Sequence, residues 1–166
     1  MLKVKEMFTD EFRKYHSMII EEFQWLEWTL KNIYANLIDG HYPECFDEVA
    51  EKPLGKLIGK LQDIENRNHT KFLDKEDYED LKKVRDMRNY WCHQCYIDGN
   101  SYLEQKPNLD IVKVERHQLD KIKNEYEIVR KLHGKLIDIK IPEKEGKWRL
   151  DDFIKIVGVN FIPFEI

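Results

Sequence analysis

Between Thr9 and Asp39, the residues Phe12, His16, Ile19, Phe23, Leu26, Leu30, Ile33 and Leu37 recur at alternating spacings of four and three. An α-helix places such positions on one face, whereas a strand, with its period of two, scatters them. The spacing predicts an amphipathic helix over Thr9–Asp39, about eight turns long. Trp25 and Trp28 lie beside the stripe and are expected to widen it. Gly40 is a suitable stop signal. A stripe this long must be covered. Core packing within one chain is the expected use, and a partner coiled coil is the alternative.

The rest of the composition fits a helical chain. With 166 residues it has the size of one ordinary domain, and it carries only 7 Gly and 5 Pro, the residues that break helices. The sequence reads as all-α. The net charge of −4 and pI near 5.9 exclude a globally basic nucleic-acid binder but leave room for a local basic site. No apolar run approaches the roughly 18 residues of a membrane span. The first residues are charged throughout, unlike a signal peptide, so a cytoplasmic location is expected. Three cysteines are an odd number and too few for a disulfide scaffold.

After the first helix, residues 41–52, with Pro43, read as a loop. A shorter helix is expected over Pro53–Glu65, with Leu54, Leu57, Ile58, Leu61 and Ile64 as its apolar face. Gly55 and Gly59 are expected to form a smooth patch where another helix backbone approaches closely. Their spacing matches no nucleotide-binding fingerprint. Residues 66–73 read as a loop. Asp74 and Asp77 resemble a capping box that opens a helix over Lys75–Ile97, ending at Asp98-Gly99-Asn100. A second loop, ending near Pro107-Asn108, leads to a last helix over Asp110–Ile139. Its stripe is Val112, Leu119, Ile122, Tyr126, Val129, His133 and Leu136. The pattern ends at Pro142, and Ile154–Ile166 is rich in β-branched and aromatic residues. Residues 1–140 are therefore expected to form one helical unit. Residues 141–166 are expected to be a short irregular or strand-like tail, packed on that unit or extending from it.

The third predicted helix carries the most informative stretch, from Arg85 to Tyr96. On a regular helix wheel its apolar arc comprises Leu81, Val84, Met87, Trp91, Cys92 and Cys95, and Arg88 falls inside it. Arg85, Asn89, His93 and Tyr96 lie along one edge, so these residues and Arg88 are expected to converge on one side. A guanidinium in an apolar arc needs a carboxylate, a phosphate or a water-filled cleft. An internal salt bridge is the plain account, and an anion site in a groove or across a subunit interface is the chemical one. A neighbouring histidine exchanges protons near neutral pH. Arginine with histidine, and no clustered carboxylates, suits metal-free work on phosphate. The imidazole takes a proton from a ribose 2′-hydroxyl while the guanidinium stabilises charge developing on phosphorus.

Arg88-Asn89-Tyr90-Trp91-Cys92-His93 resembles the Arg-x(4–6)-His signature of HEPN domains, helical proteins of toxin–antitoxin, abortive-infection and CRISPR systems. The bare motif is unspecific in a chain with six histidines. Asn directly after Arg, and placement on a capped helix, sharpen it. The resemblance covers about residues 10–140. It implies an up-and-down bundle of four to five helices that forms a homodimer with paired motifs. It also implies a metal-independent endoribonuclease without a cofactor, a toxin or defence component whose partner is RNA. Arg88, Asn89 and His93 would be catalytic, and Arg85, Tyr96 and Lys82 would bind substrate. An antitoxin or nucleotidyltransferase partner protein is implied as well. One departure bears on that partner: Cys95 occupies the tyrosine position of the His-x-Tyr that often follows the motif, and Tyr96 comes one residue late. The alternatives are a non-catalytic HEPN-like module binding nucleotide, RNA or a protein partner, and a purely structural helical dimer or complex subunit.

A Cys₃His zinc site from His41, Cys45, Cys92 and Cys95 competes on spacing, but Cys92 and Cys95 lie on the apolar arc, where free thiols pack as small hydrophobes. No metal site is expected. His16 and His133 fall on apolar stripes and read as satisfied core residues. His69 is expected in a polar loop and His117 at a helix surface. Lys82 and Lys83, with Arg85 and Arg88, read as a local anion-binding surface, and for the lysines a solvated face balanced by Asp80 and Asp86 is the alternative.

Overall fold

The computed structural model describes residues 8–69, 71–96, 111–141 and 144. Among them are five helices and no strand: α1 (Asp10–Leu37), α2 (Tyr42–Ala50), α3 (Leu54–Asn68), α4 (Lys75–Asn89, continued by a π-helical turn over Tyr90–Gln94) and α5 (Ile111–Ile137). The expected stop at residues 98–100, the loop ending near Pro107 and the tail apart from Ile141 and Lys144 lie outside the described residues.

Helix α1 begins where its cap dictates. The Thr9 hydroxyl accepts the Phe12 N–H at 3.2 Å, and Asp10 and Glu11 complement the positive end of the helix. Phe12, Ile19, Phe23, Leu26, Leu30 and Ile33 are buried, and His16 and Leu37 partly so. Gly40, at φ 125°, adopts a turn that L side chains rarely take, and a Cβ there would lie 3.1 Å from the Cys45 sulfur. Trp25 and Trp28 do not widen the buried stripe. They are 47% and 40% exposed and meet edge to face on the outer surface of α1. The neighbouring helices cover the opposite side, so the stripe stays narrow.

The segment expected as a loop contains α2. Pro43 sits in its first turn, where no backbone N–H is required, so the residue that suggested a break favours a start. Tyr42, Cys45 and Val49, at spacings of three and four, supply its buried face. Helix α3 buries the whole expected apolar face and runs to Asn68, three residues past the expected end, closing at His69 in the left-handed conformation. The buried Glu65 then accepts the N–H groups of Phe72 and Leu73, both at 2.9 Å, which ties down the turn into α4. Gly55 and Gly59 make no backbone contact patch. A Cβ at Gly55 would meet the Arg85 side chain at 3.1 Å, and one at Gly59 would meet nothing within 4 Å.

Asp74 caps α4 reciprocally with Asp77 through hydrogen bonds of 2.8 and 3.0 Å. On α5, Ile122, Val129, Leu132 and Leu136 are buried, while Val112 is 61% exposed and leaves the expected stripe. Cross-helix pairs give the chain directions. Arg88 meets Glu27, Trp91 meets His16 and Tyr96 meets Phe8, so α4 runs antiparallel to α1. Lys123 pairs with Glu11 and His133 with Glu22, so α5 runs parallel to α1. The core lies between α1 and the helices packed around it, with α5 as its most extensive neighbour. No described helix is long and apolar enough to cross a membrane.

Candidate functional site

The segment from Arg88 to His93 spans a change of helix type. At Tyr90–Gln94 the backbone bonds reach five residues rather than four, and the Cys95 N–H returns to the Tyr90 carbonyl. This diverts the Cys95 N–H from its α-helical acceptor, the Trp91 carbonyl. That oxygen instead accepts from His16 Nε2 at 3.0 Å and from the Cys95 thiol at 3.2 Å. The fully buried Trp91 ring stands edge-on to Tyr90, and its indole N–H donates to Glu125 of α5 at 2.5 Å. The Lys121 ammonium lies 3.6 Å above the Tyr90 ring. The π turn is thus held from both sides, by α1 and by α5.

Arg88 meets a carboxylate of its own chain. Its Nε lies 2.5 Å from Glu27 Oε1 on α1, with side-chain exposures of 29% and 14%. Asn89 and His93 are exposed on α4. The other predicted residues face different neighbours instead of converging with Arg88. Arg85 forks onto Asp86 at 2.7 and 2.9 Å and lies against Gly55. Tyr96 packs edge-on to Phe8 and His16, and burial pushes its hydroxyl pKa up. Lys82 lines an open cleft of about 470 Å³ between α3 and α4 with Tyr78, Glu79, Lys71 and Lys75. The regular wheel failed here because neighbours on three helices claim successive side chains, and because the π turn alters the angular step.

The basic residues are largely compensated. Lys83 pairs with Asp80 at 2.7 Å, which raises its pKa, and Arg85 pairs with Asp86. Cys92, expected in the apolar arc, is exposed. Partial burial of its sulfur pushes the thiol pKa up; the neighbouring Arg88 lowers it and Glu27 raises it, so Cys92 belongs to the Arg88–Glu27 neighbourhood.

The cysteines and histidines do not gather at one point. Cys45 packs with Ala35 and Tyr42, and Cys95 lies beside His16 and Trp91. Among the described residues, no group of three His, Cys, Asp or Glu side chains is placed to hold a metal ion. His16 is satisfied by the Trp91 carbonyl. His133 is satisfied by Glu22 at Nδ1, 2.5 Å away, and by Thr29 at Nε2, 3.0 Å away. His69 closes α3, and His117 is exposed on α5. Sequence reasoning missed Glu27. It is an acidic residue flanking a heptad stripe, and no spacing signal separates it from the other acids of α1.

Comparisons with protein-family models, curated proteins and solved structures found no match to this chain.

Proposed function

We propose that the chain is a HEPN-like, metal-independent endoribonuclease that works as a two-fold dimer with its α4 helices facing one another. The observation that carries this reading is the placement of Arg88, Asn89 and His93 on one capped helix with a π turn inside the motif. On a regular helix, residues five apart point about 140° away from each other. A turn closed by five-residue bonds reduces that angle and draws His93 toward the Arg88 side. His93 and Asn89 are exposed, as groups that meet a substrate must be.

In the proposed reaction, His93 takes the 2′-hydroxyl proton and the 2′-oxygen bonds to phosphorus. Arg88 stabilises the charge on the non-bridging oxygens, and Asn89 orients one of them or the RNA. The 5′-oxygen leaves with a proton supplied by the second copy's imidazole or by water. The products are a 2′,3′-cyclic phosphate and a 5′-hydroxyl. A toxin or defence role, with an antitoxin or nucleotidyltransferase as protein partner, belongs to this reading.

A second reading, a HEPN-like module that binds nucleotide, RNA or protein without cleaving, has its own support. Arg88, Arg85 and Lys83 are each paired with a carboxylate, so the lone chain presents little free positive charge beside His93. RNA cleavage in EDTA by wild type beside His93→Ala separates the two. The nuclease reading expects the variant to lose about 10²–10⁴-fold in rate while staying folded. An inactive wild type leaves the binding module.

A further inference from the structure

We propose that Glu27 is a positioning residue of the Arg88 site. Its carboxylate holds the guanidinium by Nε and lowers the positive charge that the site offers to a phosphate. The inference rests on the nuclease reading above and extends it to a residue on a different helix. Three observations support it.

The ion pair at 2.5 Å is made through Nε, while 29% of the Arg88 side chain remains exposed, so the contact holds the arginine without sealing it. Glu27 Oε1 is inaccessible to solvent and finds no hydrogen-bond partner with good geometry, so its charge depends on Arg88 for compensation. Finally, α1 and α4 run antiparallel with His16 holding the π turn further along the same interface, so α1 supports both ends of the motif segment.

An arginine acts on a transition state through a planar fork held in one orientation, and misplacement by about 1 Å can cost 10²-fold in rate. A carboxylate at Nε supplies that orientation. It also lies close to the place a phosphate would approach, so it weakens ground-state binding. Its amide isostere keeps the acceptor oxygen and removes the repulsion.

The experiment compares wild type, Glu27→Gln and Glu27→Ala by RNA cleavage kinetics in EDTA. The Arg88 Nε–H resonance, assigned by its loss in Arg88→Lys, gives a readout independent of activity. Glu27→Ala is expected to lose about 10–100-fold in kcat and to expose the Nε–H to exchange. Glu27→Gln is expected to keep kcat within a few-fold, keep the resonance and lower KM. Wild-type kcat and an unchanged resonance in Glu27→Ala would overturn the proposal. If Glu27→Ala does not fold, Glu27→Gln decides: a lowered KM at retained kcat supports the proposal, and unchanged KM refutes it. An inactive wild type whose protected Nε–H is lost in Glu27→Ala would refute the nuclease reading and still support the hold of Glu27 on Arg88.

Discussion

The two halves of helix α4 obey different rules. From Asp74 to Arg88 the helix is capped and regular, and Leu81 and Val84 are buried where a wheel drawn at 100° per residue places them. From Tyr90 to Gln94 the same chain winds wider. Trp91 stays buried, Cys92 comes to the surface, and one backbone carbonyl turns to a histidine of another helix. The first half is governed by local chemistry, meaning a capping box and an apolar period. The second is governed by what Trp91 meets on α1 and α5. The motif straddles the boundary, with Arg88 in the regular half and His93 in the π half.

The sharpest test of this contrast is Trp91→Ala. Removing a fully buried indole should cost about 3–5 kcal/mol, read as a fall in the denaturant midpoint. Leu81→Ala in the regular half should cost about 2–5 kcal/mol. The two should differ in kind: circular dichroism of the folded Leu81→Ala protein should keep the native aromatic signature, while Trp91→Ala should lose it together with the π turn. Arg88→Ala comes next, at about 1–3 kcal/mol, because it orphans the Glu27 carboxylate. Adding Glu27→Gln should return much of that loss, and strict additivity of the two changes would refute the pairing. A loss of activity in Arg88→Ala alone therefore mixes stability with chemistry, whereas His93→Ala does not.

His16→Ala should have a smaller effect, about 1 kcal/mol, since the Cys95 thiol still reaches the Trp91 carbonyl. On the nuclease reading, its effect on RNA cleavage should exceed its effect on stability, because the π turn would position His93. Equal effects in a thermal melt and a rate assay would argue against a special role for the second half. The smallest effect concerns pH. Backbone hydrogen bonding from Asp77 holds the Asp74 carboxyl below its ordinary value. A depressed folded pKa means the contribution is complete above the unfolded value and is lost as pH falls through the folded one. Asp74→Asn should therefore lower stability slightly at neutral pH and leave the acid limit almost unchanged, which flattens the acid side of the profile. Amide exchange at the start of α4 measures this directly.

Much of the fold was legible because it follows from period and caps. The α1 stripe, the α3 face and the Asp74–Asp77 box each depend on residues within a few positions of one another. The miss at α2 came from reading Pro43 as a breaker when its place in a first turn makes it compatible with a helix. Of the candidate site, Arg88, Asn89 and His93 were singled out by the motif alone, while the need of Arg88 for an anion was legible and is met by Glu27. The partner was not, because Glu27 lies 61 positions away and resembles its acidic neighbours until α1 and α4 pack together.

The sequence by itself determined that the chain is helical, where its first and fourth helices begin, and that one helix carries an arginine in its apolar arc with a histidine five residues on. Those outcomes are local, set by side-chain period and by backbone groups that must be capped within one turn. Only the tertiary structure decided that Trp25 and Trp28 face outward, that Cys92 leaves the core, that a π turn divides the motif and that Glu27 holds Arg88. Each of these depends on which helix lies alongside. Packing and charge compensation act between residues distant in sequence, so they take effect only once the helices have met.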